Sequence, residues 1–191
     1  MNNPNTKLKD FIYVEKNIIP SDICEIIIKD VETRPWQPHF WNDEQGNNIE
    51  KVYNRELDTQ FGNKKLQELL SPFISKCGKI YSKKYSYLNT QHIMHDFSWI
   101  RYNRYSPGQI MRQHIDHIHS IFDGQYKGVP VLSFIMNFND DYEGADLFFW
   151  EDTIVKLGKG DIVMFPSCFL FPHGVTEATK GKRYSAVGWG W

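Results

Sequence analysis

His114 and Asp116 stand two residues apart in the stretch Gln113-His114-Ile115-Asp116-His117, and His173 follows far downstream. Residues two apart on a strand project to the same side, because side chains alternate between its faces. If the chain returns so that His173 faces the same space, two neutral imidazoles and one carboxylate occupy one face of a metal such as Fe(II), leaving its other positions open. A 2-oxo acid can fill two of those positions through its keto oxygen and C1 carboxylate, leaving one for O2. The far carboxylate of 2-oxoglutarate then calls for a fixed cation, and a guanidinium is suited to bidentate carboxylate recognition. Arg183 can supply it, with the Ser185 hydroxyl beside it.

The elements that must position these residues follow from periodicity and turn signals. Phe11 to Ile19 reads as an early strand ended by Pro20-Ser21, with Ser21 as N-cap of a helix whose stripe is Ile23, Ile26, Ile27 and Val31. Trp36 to Gln60 reads as loop with one strand around Glu50 to Tyr53. A second helix is capped by Asn63 and buries Leu66, Leu69, Leu70, Phe73, Ile74, Cys77, Ile80 and Tyr81, with a kink or restart expected at Pro72.

From Phe97 the period becomes strand-like. Phe97 to Tyr105 is a strand closed by Ser106-Pro107-Gly108. Val129 to Asn139 has one apolar face (Leu132, Phe134, Met136, Phe138) and one mixed face, which puts Ser133 and Asn137 in a cavity. Short strands at Leu147 to Trp150, Thr153 to Leu157 and Asp161 to Phe165 follow. His173 to Thr176 and Arg183 to Trp189 are expected to form a hairpin through Thr179-Lys180-Gly181. Val175 then lies opposite Ser185, and His173, Val175, Arg183, Ser185, Val187 and Trp189 share a face. Helices first and short strands afterwards predict an α+β, mainly β fold, a jelly-roll core backed by N-terminal helices.

The gross numbers fit one domain. A chain of 191 residues fills one core comfortably, giving residues 1–191 as a single domain with 1–96 as helical support and 97–191 as the catalytic core. A formal net charge of −1 gives no general attraction to nucleic acid or an anionic membrane. Three cysteines, Cys24, Cys77 and Cys168, lack metal-type spacing and are too few for a disulfide scaffold. With no secretory or membrane-spanning apolar run, the expected compartment is the cytoplasm.

Tyr105-Ser-Pro-Gly108-Gln109, His114-Ile-Asp116, Gly160-Asp161 to Pro166-Ser167, His173-Gly-Val175 and Gly181-Lys-Arg183-Tyr184-Ser185 come in an order and spacing that resembles the Fe(II)/2-oxoglutarate-dependent dioxygenases, in particular the prolyl 4-hydroxylase-like branch. The resemblance covers roughly Phe97 to Trp191. It implies a double-stranded β-helix, iron ligands at His114, Asp116 and His173, and Arg183 on the C5 carboxylate of 2-oxoglutarate. Tyr105, Ser185, Ser133 and Asn137 would line the co-substrate pocket. The implied reaction couples oxidative decarboxylation of 2-oxoglutarate by O2 to hydroxylation of a C–H bond, with ascorbate as accompanying reductant and a proline-containing protein or peptide as substrate. The sequence departs from the family pattern at Asn137 and Met111, where several relatives carry tyrosines.

Other residues keep two readings. Arg101 shares parity with Asn103 and Tyr105 and is either a substrate-mouth residue or a surface salt-bridge partner. Trp150 and Trp189 either flank the iron pocket or pack in the core. His117 and His119 have the opposite parity from His114 and read as loop or surface groups over ligands, while His39, His92 and His95 fall in loops, read as solvent-exposed with substrate contact as the alternative for His92 and His95. Cys168 reads as a small buried apolar group. The segments Tyr85 to Ser98 and His117 to Gly128 flank the first ligand strand and are placed to fold over a peptide. Two rival functions stand beside this one. An oxygenase acting on a nucleobase or small molecule would predict salt-dependent nucleic-acid binding; a non-catalytic jelly-roll binding module would predict no turnover of 2-oxoglutarate.

Overall fold

The computed structural model describes residues 6–42, 48–49, 56–85, 94, 96–116 and 130–191. A short 3-10 turn at Leu8–Phe11 leads into β1 (Tyr13–Glu15), helix α1 (Ser21–Val31), β2 (Gln37–Pro38), β3 (Trp41–Asn42), β4 (Asn48–Ile49), β5 (Asp58–Phe61) and helix α2 (Lys64–Lys84). The second half is β6 (Arg101–Tyr105), β7 (Met111–His114), β8 (Leu132–Asn137), β9 (Glu143–Gly144), β10 (Leu147–Phe149), β11 (Thr153–Val155), β12 (Ile162–Pro166), β13 (His173–Val175), β14 (Ala178–Lys180) and β15 (Arg183–Gly190).

Two antiparallel sheets make the jelly roll. The major sheet runs β1-β12-β8-β15-β6-β5-β2 and the minor one β11-β10-β13-β7. Side-chain alternation divides the interior into two apolar layers. Leu132, Phe134 and Met136 of β8 and Ile162 and Met164 of β12 pack with Ile27, Leu66, Leu70, Ile74, Cys77 and Tyr81 of the helices. The opposite parity, Ile135, Val163 and Phe165, packs with Phe149, Leu147 and Val175 of the minor sheet. Ser133 and Asn137 are fully buried on that inner face of β8, where the alternation placed them.

Helix α2 begins where its cap predicts. The Asn63 side chain accepts from the Leu66 amide at 2.9 Å, satisfying one of the unpaired N–H groups of the first turn. Asn63→Ala is expected to lower stability by about 1 kcal/mol, read as a shifted urea midpoint with unchanged slope. Pro72 neither breaks nor restarts this helix, which runs unbroken from Lys64 to Lys84.

Four expectations need correction. The early strand contracts to Tyr13–Glu15, because Asn17 turns with φ 51° and its amide bonds the Asp161 carboxylate. Pro20 occupies the N-cap of α1 in place of Ser21, and its carbonyl takes the first helical bond from the Cys24 amide. The strand expected from Phe97 begins at Arg101, preceded by an isolated bridge between Phe97 and Gly190. The hairpin does not form: β13 pairs with β10 and β7, β14 with β9, and β15 with β6 and β8. Gly181 does turn with φ 71°, but the turn carries the chain from one sheet to the other. His173 and Arg183 therefore approach from opposite walls. The strand expected at Glu50 to Tyr53 lies outside the described residues, as do His92, His95, His117 and His119 and most of the two segments expected to cover a peptide.

Candidate metal centre and co-substrate pocket

Register brings the three expected ligands together. In the pairing of β13 with β7, His173 lies directly opposite His114, so their imidazoles sit side by side with ring centroids 4.4 Å apart. Asp116 follows the end of β7 and turns inward, 7% exposed. Its Oδ1 is 3.5 Å from His114 Nε2 and its Oδ2 3.6 Å from His173 Nε2. One ligand atom from each residue lies within 4.8 Å of the others.

The main chain sets the direction of both rings. His114 Nδ1 faces the Arg112 carbonyl at 2.8 Å and His173 Nδ1 faces the Phe171 carbonyl at 3.1 Å. A carbonyl only accepts, so Nδ1 carries the proton in each ring and the Nε2 lone pair points at the shared space. Burial pushes the His173 imidazole below its ordinary pKa against the pull of Asp116, which favours the neutral, ligating form. For Asp116 burial works against ionisation, yet the flanking histidines and the Ser133 hydroxyl outweigh it and hold the carboxyl well below its usual range. Its Oδ2 is buried and accepts no hydrogen bond from any described residue. A buried anionic oxygen with two lone pairs aimed beside it is costly unless a cation completes the set.

Arg183 enters from the major sheet. It is 1% exposed, with Nε donating to Asn137 Oδ1 at 2.8 Å, Nη1 to the Ala145 carbonyl at 2.9 Å, and the guanidinium 5.4 Å from the centroid of the Tyr105 ring. These partners are neutral, and no carboxylate pairs with Arg183 among the described residues. Asn137 is itself clamped, its amide donating to the Asn139 carbonyl at 2.7 Å. Tyr105 lies opposite Arg183 in the β6/β15 register, and burial pushes its phenol up to about 12, so the hydroxyl stays a donor.

A single cavity joins these groups. It is lined by His114, Asp116, His173, Arg183, Tyr105 and Ser185, together with Arg101, Asn103, Met111, Ile135, Leu147, Gly174, Val175 and Val187. Ser133 and Asn137, expected to contact co-substrate, are absent from this lining. Ser133 bonds the Ser167 hydroxyl at 2.6 Å and Asn137 holds Arg183, so both act through the residues in front of them. Arg101 lines the cavity and forms no surface salt bridge among the described residues. Trp189 lies against Arg101, 5.6 Å from ring centroid to guanidinium. Trp150 packs on Phe149 and Phe171 and donates to the Leu170 carbonyl at 3.0 Å, outside the cavity lining. His39, expected in solvent, is half-buried and lowered to about 3, first by burial and then by Arg101, His114 and Arg112. Asn103 could have been found from its parity with Arg101 and Tyr105. The apolar lining of Ile135 and Leu147 carries no sequence mark distinguishing it from core.

Gly174 answers to close packing beside the ligand. A Cβ there would stand 2.7 Å from the Met111 carbonyl and 2.7 Å from the Phe148 ring, so only glycine lets β13 lie against β7 at this point.

Residues 100–191 match the family described as the 2OG-Fe(II) oxygenase superfamily. This stretch contains the whole His114, Asp116, His173 and Arg183 constellation. Over these residues the chain is similar to that superfamily. A PKHD-type hydroxylase of Idiomarina loihiensis is 34% identical over 93 residues, covering 46% of this chain and 39% of that protein. The chain thus spans about two fifths of that relative's length. A prolyl-4-hydroxylase of Pseudomonas putida superposes with a TM-score of 0.65 at 19% identity, covering 94% of this chain and 91% of the other. A Trichoplax adhaerens prolyl hydroxylase, solved with a hypoxia inducible factor peptide fragment, superposes with a TM-score of 0.65 at 13% identity, covering 95% and 83%.

The donor set suits the superfamily's metal: two imidazole nitrogens and one carboxylate on one side, with the cavity on the other. Bound there with 2-oxoglutarate, ferrous iron would supply the O2 activation that side chains cannot perform. The residues present for such a complex are the Arg112 and Phe171 carbonyls, which orient the two imidazoles, the Asp116 carboxylate beside them, and the Arg183 guanidinium with Tyr105 and Ser185 in the same cavity. Ile135, Leu147, Val175 and Val187 add apolar walls to that space.

Proposed function

We propose that the chain is an Fe(II)- and 2-oxoglutarate-dependent dioxygenase that hydroxylates a C–H bond, with a prolyl residue of a protein or peptide as substrate. The observation that carries the oxygenase part is the meeting, in one cavity, of a His-Asp-His set with a buried arginine that no carboxylate neutralises among the described residues. His114, Asp116 and His173 are the iron ligands in this reading. Arg183 holds the C5 carboxylate, Tyr105 and Ser185 complete its pocket, and ascorbate serves as the reductant that keeps the metal ferrous. The 191 residues act as one domain, because the N-terminal half supplies β1, β2 and β5 to the major sheet as well as the two helices behind it.

The prolyl part is supported by the kind of relatives found, among them hydroxylases named for proline. A nucleobase substrate has less behind it, since among the described residues the cavity lining offers Arg101 but no basic surface interleaved with aromatic side chains. Incubation of proline-containing peptides with the protein, Fe(II), 2-oxoglutarate and O2 tests the whole reading by mass spectrometry. A product one oxygen heavier, dependent on both iron and 2-oxoglutarate, is expected. Succinate formation without any modified proline would retain the oxygenase and remove the prolyl assignment, and absence of succinate under all conditions would remove both.

A further inference from the structure

The cavity holds more unsatisfied polarity than a metal and 2-oxoglutarate can use. Arg101, Asn103 and Tyr105 alternate on one face of β6, and in the β6/β15 register Tyr105 lies opposite Arg183 while Arg101 lies opposite Val187. Four strand positions separate Arg101 from Tyr105, roughly 13 Å along the sheet. The two arginines therefore stem from different levels of the cavity wall, with Tyr105 acted on by both, and a five-carbon diacid whose far carboxylate is anchored on Arg183 leaves the second guanidinium without an assigned anion.

Arg101 Nε is buried and makes no hydrogen bond to any described residue, and the same holds for Trp189 Nε1. The Trp189 ring lies 5.6 Å from the guanidinium, just behind the residues that line the cavity, so an orphaned indole donor belongs to the ring packed on Arg101. Asn103 Oδ1, the next lining residue inward, is likewise buried and unbonded. Buried polar groups rarely go without partners, and the two that line this cavity, Arg101 Nε and Asn103 Oδ1, call for a water, an ion or a polar ligand to complete them. Charge points the same way. Taking the function proposed above as given, a ferrous ion, the Asp116 carboxylate, the two charges of 2-oxoglutarate and the Arg183 guanidinium cancel. Arg101 is left as a net positive charge in a dry cavity, where burial already disfavours it.

We propose that Arg101 and Trp189, with Asn103 beside them, form a substrate carboxylate subsite, so that the chain prefers a substrate bearing an acidic group close to the carbon it hydroxylates. The guanidinium presents a donor fork to the carboxylate and the indole N–H adds a third donor. The Asn103 oxygen accepts an N–H from the substrate backbone or amine. The acid can be an aspartate or glutamate side chain next to the target residue, or the terminal carboxylate of a free amino acid.

The test is equilibrium binding without turnover, by calorimetric titration of the full chain loaded with Mn(II) and 2-oxoglutarate. One pair of probes is a blocked peptide with aspartate beside proline and its asparagine isostere; the other is free L-proline and prolinamide. The acidic member of at least one pair is expected to bind about tenfold more tightly, and which pair does so identifies the source of the carboxylate. Arg101→Gln should abolish the preference, Arg101→Lys should retain part of it, and Trp189→Phe should weaken it while preserving the ring. No acidic preference in either pair on the native protein overturns the subsite, and this comparison needs no variant to fold. So does a preference that survives in Arg101→Gln, or a loss confined to the affinity for 2-oxoglutarate, which would place Arg101 on the co-substrate. Succinate formation by the native protein is followed separately: its absence strikes the oxygenase reading, whereas the isostere comparison strikes the subsite alone.

Discussion

His173→Ala is expected to abolish conversion of 2-oxoglutarate to succinate. The ring is 3% exposed and belongs to the strand that brings it against His114, so no neighbouring side chain can replace its Nε2. The metal would be left with one imidazole and one carboxylate, losing the three-point grip that holds it with open positions to one side. Packing complicates this variant, since the imidazole also contacts Phe165 and Phe149, with ring centroids 4.7 and 5.6 Å away, and its removal leaves a hole. His114→Ala is the cleaner companion, because that ring is partly exposed. Thermal unfolding under anaerobic conditions separates folding from chemistry. Fe(II) at a hundred times its dissociation constant should stabilise the native protein by about 2.7 kcal/mol and both variants far less. Native-like succinate production by either variant would remove that residue from the ligand set.

Arg183→Met is the second large effect. A buried charged group that loses its anion, or an anion that loses its buried cation, costs roughly 2–5 kcal/mol; the KM for 2-oxoglutarate should rise by two orders of magnitude or so. The same change leaves the Ala145 carbonyl without the Arg183 donor and Asn137 Oδ1 with only the Tyr142 hydroxyl at 3.5 Å, which lowers stability by about 1–3 kcal/mol for a group left unpaired. Arg183→Lys keeps the charge but loses the fork, and it should fall between the two. Asn137→Asp makes the complementary test with the arginine present. It places a carboxylate against Nε, internally neutralising the guanidinium, at the cost of the donor that holds the Asn139 carbonyl, and should raise the KM for 2-oxoglutarate while lowering the urea midpoint. Unchanged KM in both Arg183→Met and Asn137→Asp would assign the C5 carboxylate to another cation.

The local features of this chain were legible from its residues, and the long-range ones were not. Parity alone put His114 with Asp116, and Ser133 with Asn137, on cavity-facing sides, because alternation is a property of one strand. It could not say which strands would be neighbours. The hairpin inferred for His173 and Arg183 rested on their closeness in sequence and on Gly181, whose left-handed turn is real. Ala178–Lys180 instead joins Glu143–Gly144, and the two functional residues meet across the sandwich. β5, with the sequence Asp58-Thr59-Gln60-Phe61, joins the major sheet without an apolar stripe to announce it. Arg101 was ambiguous for a related reason: an arginine on a strand is ordinarily a surface residue, and only the opposed wall and the Trp189 ring enclose it.

The adjacency of β7 and β13 also bears on how the protein is made. The two imidazoles belong to strands with β8, β9, β10, β11 and β12 between them in the chain, so the coordinating surface does not exist until a non-local pairing has closed. Non-local pairings form late and slowly. A metal that needs this one finds nothing to hold in the unfolded chain and adds its stabilisation after the folding barrier has been crossed. Its effect should fall on the rate of unfolding and leave the rate of folding nearly unchanged, so that iron supply governs the lifetime of the finished protein more than the speed at which it is assembled.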